Sequence, residues 1–419
     1  MRILLANTGH PASIKGGAEA AVLDLAHVLA ARGHEVSLVV RHPGDDVEET
    51  VDEGVRVYAL PNRNLYYGFD GESRAAPARL AWHALDTANP FMAAAFGRIL
   101  DREKPDVVNT HVMVGLSQLV WHEAAARGIP IVHYLHEYGT MCPRGSGFRD
   151  GRLCATPCGA CRLLSAPRKR LSRLVDTVVG VSRFTLRRHL DWGFFPDART
   201  AVVPNIFADL APHDRATPAP GPLRLGYFGR LLPDKGAHLL LRALRSLPAG
   251  GWTLAVGGDG EPEYLSSLQA DAPLGVRFLG WTKADDLFAQ IDLLVVPSLW
   301  PDPQPRVVFE SFARGVPVLG ARAGGIPEQI DPDATGWLFD AGSAADLSAV
   351  LALRIADRAD RALAPAAFRA RLAPLDPARV AGEYEAIYAA AADRRKARPR
   401  PARRSRRILS LVAGRATPP

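Results

Sequence analysis

A strand-then-helix rhythm that runs the length of the chain and breaks once is the strongest constraint on its fold. In the first half the apolar runs RILLAN, HEVSLVV, VRVYAL, DVVNTHV, IVHYLHE, TVVGVS and AVVPN read as strands. Between them, residues 17–32 and about Gly115 to Arg127 repeat apolar positions at helical spacing. The second half restates the theme with LRLGYFG, TLAVGG, VRFLGW, LLVVPS, PVLGA and GWLFD. Strands alternating with helices build a parallel sheet covered on both faces. The break, ADLAPHDRATPAPGPL, is rich in Pro and Ala and carries no periodicity, so it reads as a linker. The expected class is α/β: two Rossmann-like α/β/α domains in series, with ligands held outside the carboxyl ends of the strands in the cleft between them.

A chain of 419 residues fits that division, since single cores rarely grow past about 250–300 residues. The expected boundaries are a first domain over 1–206, a linker over 207–222 and a second domain over 223–378. A helix over 379–393 is expected to pack back on the first domain, and 394–419 forms a basic tail. No apolar run approaches the roughly 20 residues of a membrane span. The opening MRILLAN is too short for a signal-peptide core, so a cytoplasmic location is expected.

The net charge of +7 is misleading, because residues 394–419 hold ten Arg or Lys and no acid. The body is therefore mildly acidic. Such a tail can hold an anionic membrane surface or remain a solvated terminus without a partner. The apolar patch ILSLVAG after the arginines favours the membrane, and no basic-aromatic interleaving supports nucleic-acid binding. Neither half carries G-x-G-x-x-G after its first strand or a P-loop, which speaks against dinucleotide and NTPase chemistry.

The chemistry gathers in two stretches of the second half. In YFGRLLPDKGAHLLLRAL, Arg230 and Lys235 flank a turn between a strand and a helix that begins near Gly236. Cations at a strand's carboxyl end beside a helix N-terminus suit an anion, although Arg and Lys are also common on solvated turns. In VVPSLWPDPQPRVVFESFARGVPVLGARAGGIPE, residues Val307 to Ala313 read as a short buried helix containing Glu310. A buried carboxylate needs donors, from ligand hydroxyls, backbone or an arginine. Asp302, eight residues earlier, could line the same pocket. In the first half, Gly16 and Gly17 precede a helix with Glu19 in its first turn, a pattern that admits a diphosphate or simply relieves a tight turn.

Taken together, the acid pair at E-x7-E spacing, the GR…KG turn, GG.PE and VVPN resemble the retaining nucleotide-sugar glycosyltransferases of family 4, which have the GT-B fold. The resemblance covers nearly the whole chain. It implies that Arg230 and Lys235 grip the donor diphosphate and that Gly16 and Gly17 approach the same diphosphate, or the sugar, from the other domain. It further implies that Glu310 holds ribose hydroxyls, while Asp302 and the backbone of Gln304, Pro305, Arg306 and Val307 face the donor sugar. His136 corresponds to the histidine that contacts the transferred sugar. His111 and His133, also at strand ends, read as core residues. Two departures stand out: Asp302 replaces the usual Glu, and Glu137 follows His136 where Asp is common.

The implied reaction is retaining hexosyl transfer from a nucleotide diphosphate sugar to a hydroxyl of a glycan, lipid or cell-envelope acceptor. The resemblance also implies that no catalytic metal is needed, Arg and Lys supplying the charge instead. Competing readings are another nucleotide-sugar enzyme such as an epimerase or phosphorylase, or a metal-binding or membrane-docked module without transferase activity. The four cysteines, Cys142, Cys154, Cys158 and Cys161, all lie in an insertion at about 138–165 with C-x11-C-x3-C-x2-C spacing. A structural zinc site is favoured over free or redox-active thiols and over disulfides.

Overall fold

The structure is a computed structural model that describes residues 1–9, 17–68, 72, 74–207, 210, 221–357 and 363–397. Gly16, most of the linker and residues 398–419 lie outside the described residues.

In chain order the strands are β1 (Arg2–Ala6), β2 (Glu35–His42), β3 (Glu48–Asp52), β4 (Val55–Pro61), β5 (Val107–Thr110), β6 (Ile131–Leu135), β7 (Phe148–Arg149), β8 (Arg152–Leu153), β9 (Thr177–Gly180) and β10 (Arg199–Val202). The second domain adds β11 (Leu223–Phe228), β12 (Trp252–Gly257), β13 (Val276–Gly280), β14 (Leu293–Val296), β15 (Val318–Ala321) and β16 (Gly336–Phe339). The first sheet runs β10-β9-β6-β5-β1-β2-β4-β3 and is parallel except for β3, which pairs antiparallel with β4 at the edge. The second runs β13-β12-β11-β14-β15-β16, all parallel. Its order is the doubly wound 3-2-1-4-5-6 arrangement, which reverses between β11 and β14. The first sheet reverses in the same way between β1 and β5.

Side-chain alternation makes three layers of the first domain. Along β1, Leu4 and Ala6 enter one core with Phe96, Val120 and Trp121, while Ile3 and Leu5 enter another with Val22, Leu25 and Leu29. Every residue of β5, β6 and β9 is buried, as expected for parallel strands covered on both sides. The second core also takes Val380, Tyr384 and Tyr388 from the helix Pro377–Ala397, which crosses back onto the first domain. There Tyr388 Oη lies 2.6 Å from Asn109 Nδ2, and Glu385 holds Arg32 and His34 at 2.7 and 2.9 Å. That helix is longer than the 379–393 read from the sequence. Arg394 and Arg395, expected in the tail, instead reach carbonyls of Asp176 and Ala125.

Two local readings need correction. The helix expected from Gly115 is confined to Val120–Ala126, because Gly115 and Ser117 take positive φ of 84° and 66° and close a turn first. That turn is tied down by Thr8 Oγ1, which donates to the carbonyls of Val112 and Val114. The edge strand β3, rich in charge and mostly exposed, has no apolar signature to announce it.

Candidate active site

The cleft between the domains holds a cavity of about 430 Å³. On the second domain's side it opens at the switch point, lined by Phe228 at the end of β11, by Gly229 and Arg230 after it, and by Pro297 and Ser298 after β14. The Pro233–Lys235 turn is fixed from below, since Leu299 N donates to Asp234 O at 2.8 Å. Gly236 follows with φ 77°, and a Cβ there would collide with the Pro297 carbonyl, so only glycine lets this turn sit against β14. The helix Ala237–Arg245 then departs with its buried leucines facing the sheet.

This scaffold aims two cations at the cavity. Arg230 is exposed and, among the described residues, makes no side-chain hydrogen bond or ion pair. Lys235 Nζ lies 2.5 Å from Asp302 Oδ2 and 5.0 Å from the Trp300 ring centre. Asp302 is itself buried at 7% exposure, on a loop whose backbone carbonyl accepts from Gly325 N at 2.7 Å. A buried carboxylate thus aligns Lys235 before any ligand arrives.

Beyond the loop, Gln304, Pro305, Arg306 and Val307 line the cavity at the start of the helix Arg306–Ala313. Gln304 is also a bridge: its Oε1 accepts from Asn205 N at 3.0 Å and its Nε2 donates to Val181 O at 3.2 Å. Glu310 is placed differently from the sequence reading. It lies one turn behind the cavity wall, and its carboxylate pairs with Arg306 Nε at 2.7 Å. Of the two acids, only Asp302 lines the cavity, because the helix turns Glu310 away and supplies its donor from Arg306.

The first domain contributes Gly17, Ala18, Glu19, His136 and Asn205, and Phe207, packed in the second domain's core, joins them. His136 follows β6 and His111 follows β5, and their Nε2 and Nδ1 atoms meet at 2.9 Å. Burial pushes His136 down to about 3 and holds His111 well below the usual histidine range, so both rings are neutral and one N–H is shared between them. Nδ1 of His136 and Oδ1 of Asn205 are both shielded from water and, among the described residues, neither has a well-formed hydrogen bond. His133 is a core residue, stacked on Phe195 and bonded through Nδ1 to the Thr110 carbonyl at 3.1 Å.

Three contacts clamp the domains around this cavity. Glu328, in GGIPE, accepts from Arg183 N at 2.9 Å and Phe184 N at 2.7 Å, capping the first-domain helix Arg183–Asp191 from across the cleft. Tyr138 Oη donates to Pro301 O at 2.6 Å. Gly325 packs so closely on Ser182 Oγ of the first domain, as well as on the Pro303 carbonyl, that any side chain would clash.

Residues 16–206 match the family described as Glycosyl transferase 4-like domain, and residues 213–368 match Glycosyl transferases group 1. A Klebsiella pneumoniae protein, "Uncharacterized 42.6 kDa protein in cps region", is 31% identical over 78% of this chain and 87% of its own length. The chain is a GT4-like glycosyltransferase.

Other relatives of this glycosyltransferase include glycogen synthase of Mycobacterium tuberculosis, 30% identical over 80% of this chain and 81% of that protein. The lipopolysaccharide core biosynthesis glycosyltransferase LpsE of Rhizobium meliloti is 27% identical over 83% and 87%. Among solved structures, sucrose-phosphate synthase from Thermosynechococcus elongatus superposes with a TM-score of 0.70 at 20% identity, covering 93% of this chain and 98% of that one. Anabaena HepE in complex with UDP and glucose gives 0.66 at 20%, covering 93% and 100%. These likenesses make the fold GT-B. The enzyme brings Gly17, His136, Arg230, Lys235, Asp302 and Gln304–Val307 to one cavity. Asn205, Phe207 and Trp300 join them there with no role foreseen. VVPN named Asn205 in the sequence but gave no sign of what it touches.

No described helix is long and apolar enough to cross a membrane. The four cysteines are unbridged, and among the described residues no group of three or more His, Cys, Asp or Glu is placed to hold a metal.

Proposed function

We propose that this glycosyltransferase transfers a hexose, with retention, from a nucleotide diphosphate sugar to a hydroxyl of a cell-envelope or polysaccharide acceptor. The observation that carries it is the pair Arg230 and Lys235 at the second domain's switch point. Among the described residues one is unpaired, and the other is held ready by Asp302. A diphosphate there gains two cations against the negative charge that grows as the sugar leaves. HepE, solved in complex with UDP and glucose, supports this class of donor.

The chemistry on the first-domain wall supports retention. His136 and His111 are neutral and occupied with each other, so neither is poised to take a proton near neutral pH. The departing phosphate oxygen is then the base that deprotonates the acceptor hydroxyl, from the face the donor leaves. Charge from Arg230 and Lys235 does what a divalent ion does elsewhere. The genomic setting in the Klebsiella relative's name and the lipopolysaccharide role in the LpsE name support an envelope or polysaccharide acceptor.

The test is a panel of nucleotide sugars assayed by melting-temperature shift and by nucleoside diphosphate release. One donor should raise the melting temperature, and its anomeric configuration should persist in the product. A protein that neither binds nor turns over any of them is not this enzyme. A peripheral membrane association through residues 398–419 belongs to the same proposal. It predicts that deleting them abolishes sedimentation with phosphatidylglycerol vesicles while donor turnover in solution stays unchanged.

A further inference from the structure

Residues 138–173, from the insertion after His136 to just past the helix Gly159–Leu171, hold eight Arg or Lys and a single acid, Asp150. None of them lines the cleft, so donor binding leaves this charge without a role. Cations alone describe a solvated face. The apolar side chains among and beside these do not.

The helix Gly159–Leu171 buries Cys161, Leu164, Ser165, Arg168 and Leu171 along one stripe and turns Arg162, Leu163, Ala166, Lys169 and Arg170 outward. Leu163 stands 72% exposed amid those cations. The helix Ala76–Thr87 packs against this one: Thr87 Oγ1 donates to Leu164 O at 3.2 Å, and Arg168 Nη2 meets Asp86 Oδ2 at 3.2 Å. An ordinary surface helix turns polar residues to water. The helix Ala76–Thr87 instead buries Trp82, Asp86 and Thr87 and presents Pro77, Leu80, Ala81 and Ala84, with Arg79 exposed beside them. Leu80 is 53% exposed, and Phe91, in the first turn of the helix Pro90–Glu103 that follows, is 63% exposed. Glu72, just before the apolar helix, is paired with Arg74.

Three kinds of occupant meet this face differently. A second copy sets its cations against like charge. A nucleic acid engages the cations and leaves Leu80, Phe91 and Leu163 in water. A bilayer with anionic head groups takes both, because its acyl boundary accepts the apolar side chains and its phosphates accept the cations.

We propose that the two helices and the insertion form a docking face for an anionic lipid bilayer. Leu80, Phe91 and Leu163 enter the head-group boundary, and Arg162, Lys169 and Arg170 meet lipid phosphates. The insertion starts two residues after His136, which lines the cleft, so docking sets the first-domain side of the cleft close to the bilayer. This rests on the reading of a membrane-facing enzyme and adds a second contact to residues 398–419. One weak contact gives marginal, reversible binding, and stable binding takes two.

The experiment sediments the full chain with vesicles of phosphatidylglycerol and phosphatidylcholine, and with phosphatidylcholine alone. The unaltered chain should sediment with the first and stay in solution with the second. Leu80→Glu combined with Leu163→Glu should lower the partition at least about tenfold. Arg162→Glu combined with Arg170→Glu should lower it as well, whereas Leu353→Glu, at a similarly exposed leucine of the second domain, should not. Melting temperature and nucleoside diphosphate release should match the parent throughout, because each altered side chain is exposed and off the cleft. Sedimentation that survives the leucine changes overturns the proposal and leaves the tail contact standing. A chain lacking 398–419 that still sediments refutes the tail and leaves this face as the contact. A loss confined to the charge-reversal variant marks a polyanion site and overturns the bilayer face, and an unaltered chain that never sediments overturns both contacts.

Discussion

Lys235 Nζ stands 2.5 Å from Asp302 Oδ2. The pair joins the turn after β11 to the loop after β14, so the position of this cation is set by the two strands that flank the switch point. Asp302 is thereby a residue that orients Lys235. Shorter than Glu by one methylene, it is long enough to reach Lys235.

Lys235→Ala should lower kcat/KM by about 10²–10³, the cost of removing one stabiliser of developing charge. Asp302→Asn should cost less, because the ammonium remains but loses its guide. Steady-state nucleoside diphosphate release measures both. Equal losses in the two variants would show that Asp302 does more than orient Lys235.

Glu328 caps a helix of the opposite domain. Glu328→Ala should cost about 0.5–2 kcal/mol of interdomain contact, and small-angle scattering should show a larger radius of gyration. A variant as compact as the parent would mean that Gln304 and Tyr138 suffice to hold the cleft.

Tyr388→Phe should destabilise the protein by about 1–3 kcal/mol. It leaves Asn109, fully buried, without the 2.6 Å bond that joins the returning helix to β5. Chemical denaturation followed by tryptophan fluorescence reads this out.

Acid should loosen the first domain by a defined route. Burial pushes His133 and His136 down to about 3 and His189 to about 4, whereas the unfolded chain binds those protons near pH ~6.5. A depressed histidine pKa means that the unfolded state takes up protons first. The stabilisation is complete above about pH 6.5 and is lost progressively as pH falls toward 3–4. The melting temperature should therefore drop between about pH 7 and pH 5. The chemical step, in contrast, should show no inflection from His136 between about pH 6 and 8.

Much of this was legible in the sequence, because parallel strands buried on both faces must be apolar throughout, and that made both sheets visible. Arg230 and Lys235 could be placed by the strand end and helix start that flank them, and the structure puts both on the cavity wall, although the same turn could have been merely solvated. What escaped depends on distance in space. Glu310 in an apolar helix read as an acid in need of a donor, and the sequence left open that one partner is Arg306, its i to i+4 neighbour. Gly115 lies in a run with helical spacing, yet its positive φ stops the helix there. Glu328 and Gln304 act across domains that meet only in the folded chain, and no local pattern encodes that.

Diphosphate binding at the switch point is what the catalytic role of Arg230 and Lys235 requires first. Titration calorimetry of a nucleoside diphosphate against the unaltered enzyme and Arg230→Ala should show saturable binding in the first and at least about a tenfold loss, about 1.4 kcal/mol, in the second. Identical affinity in both proteins, or no binding to either, would contradict a diphosphate site there.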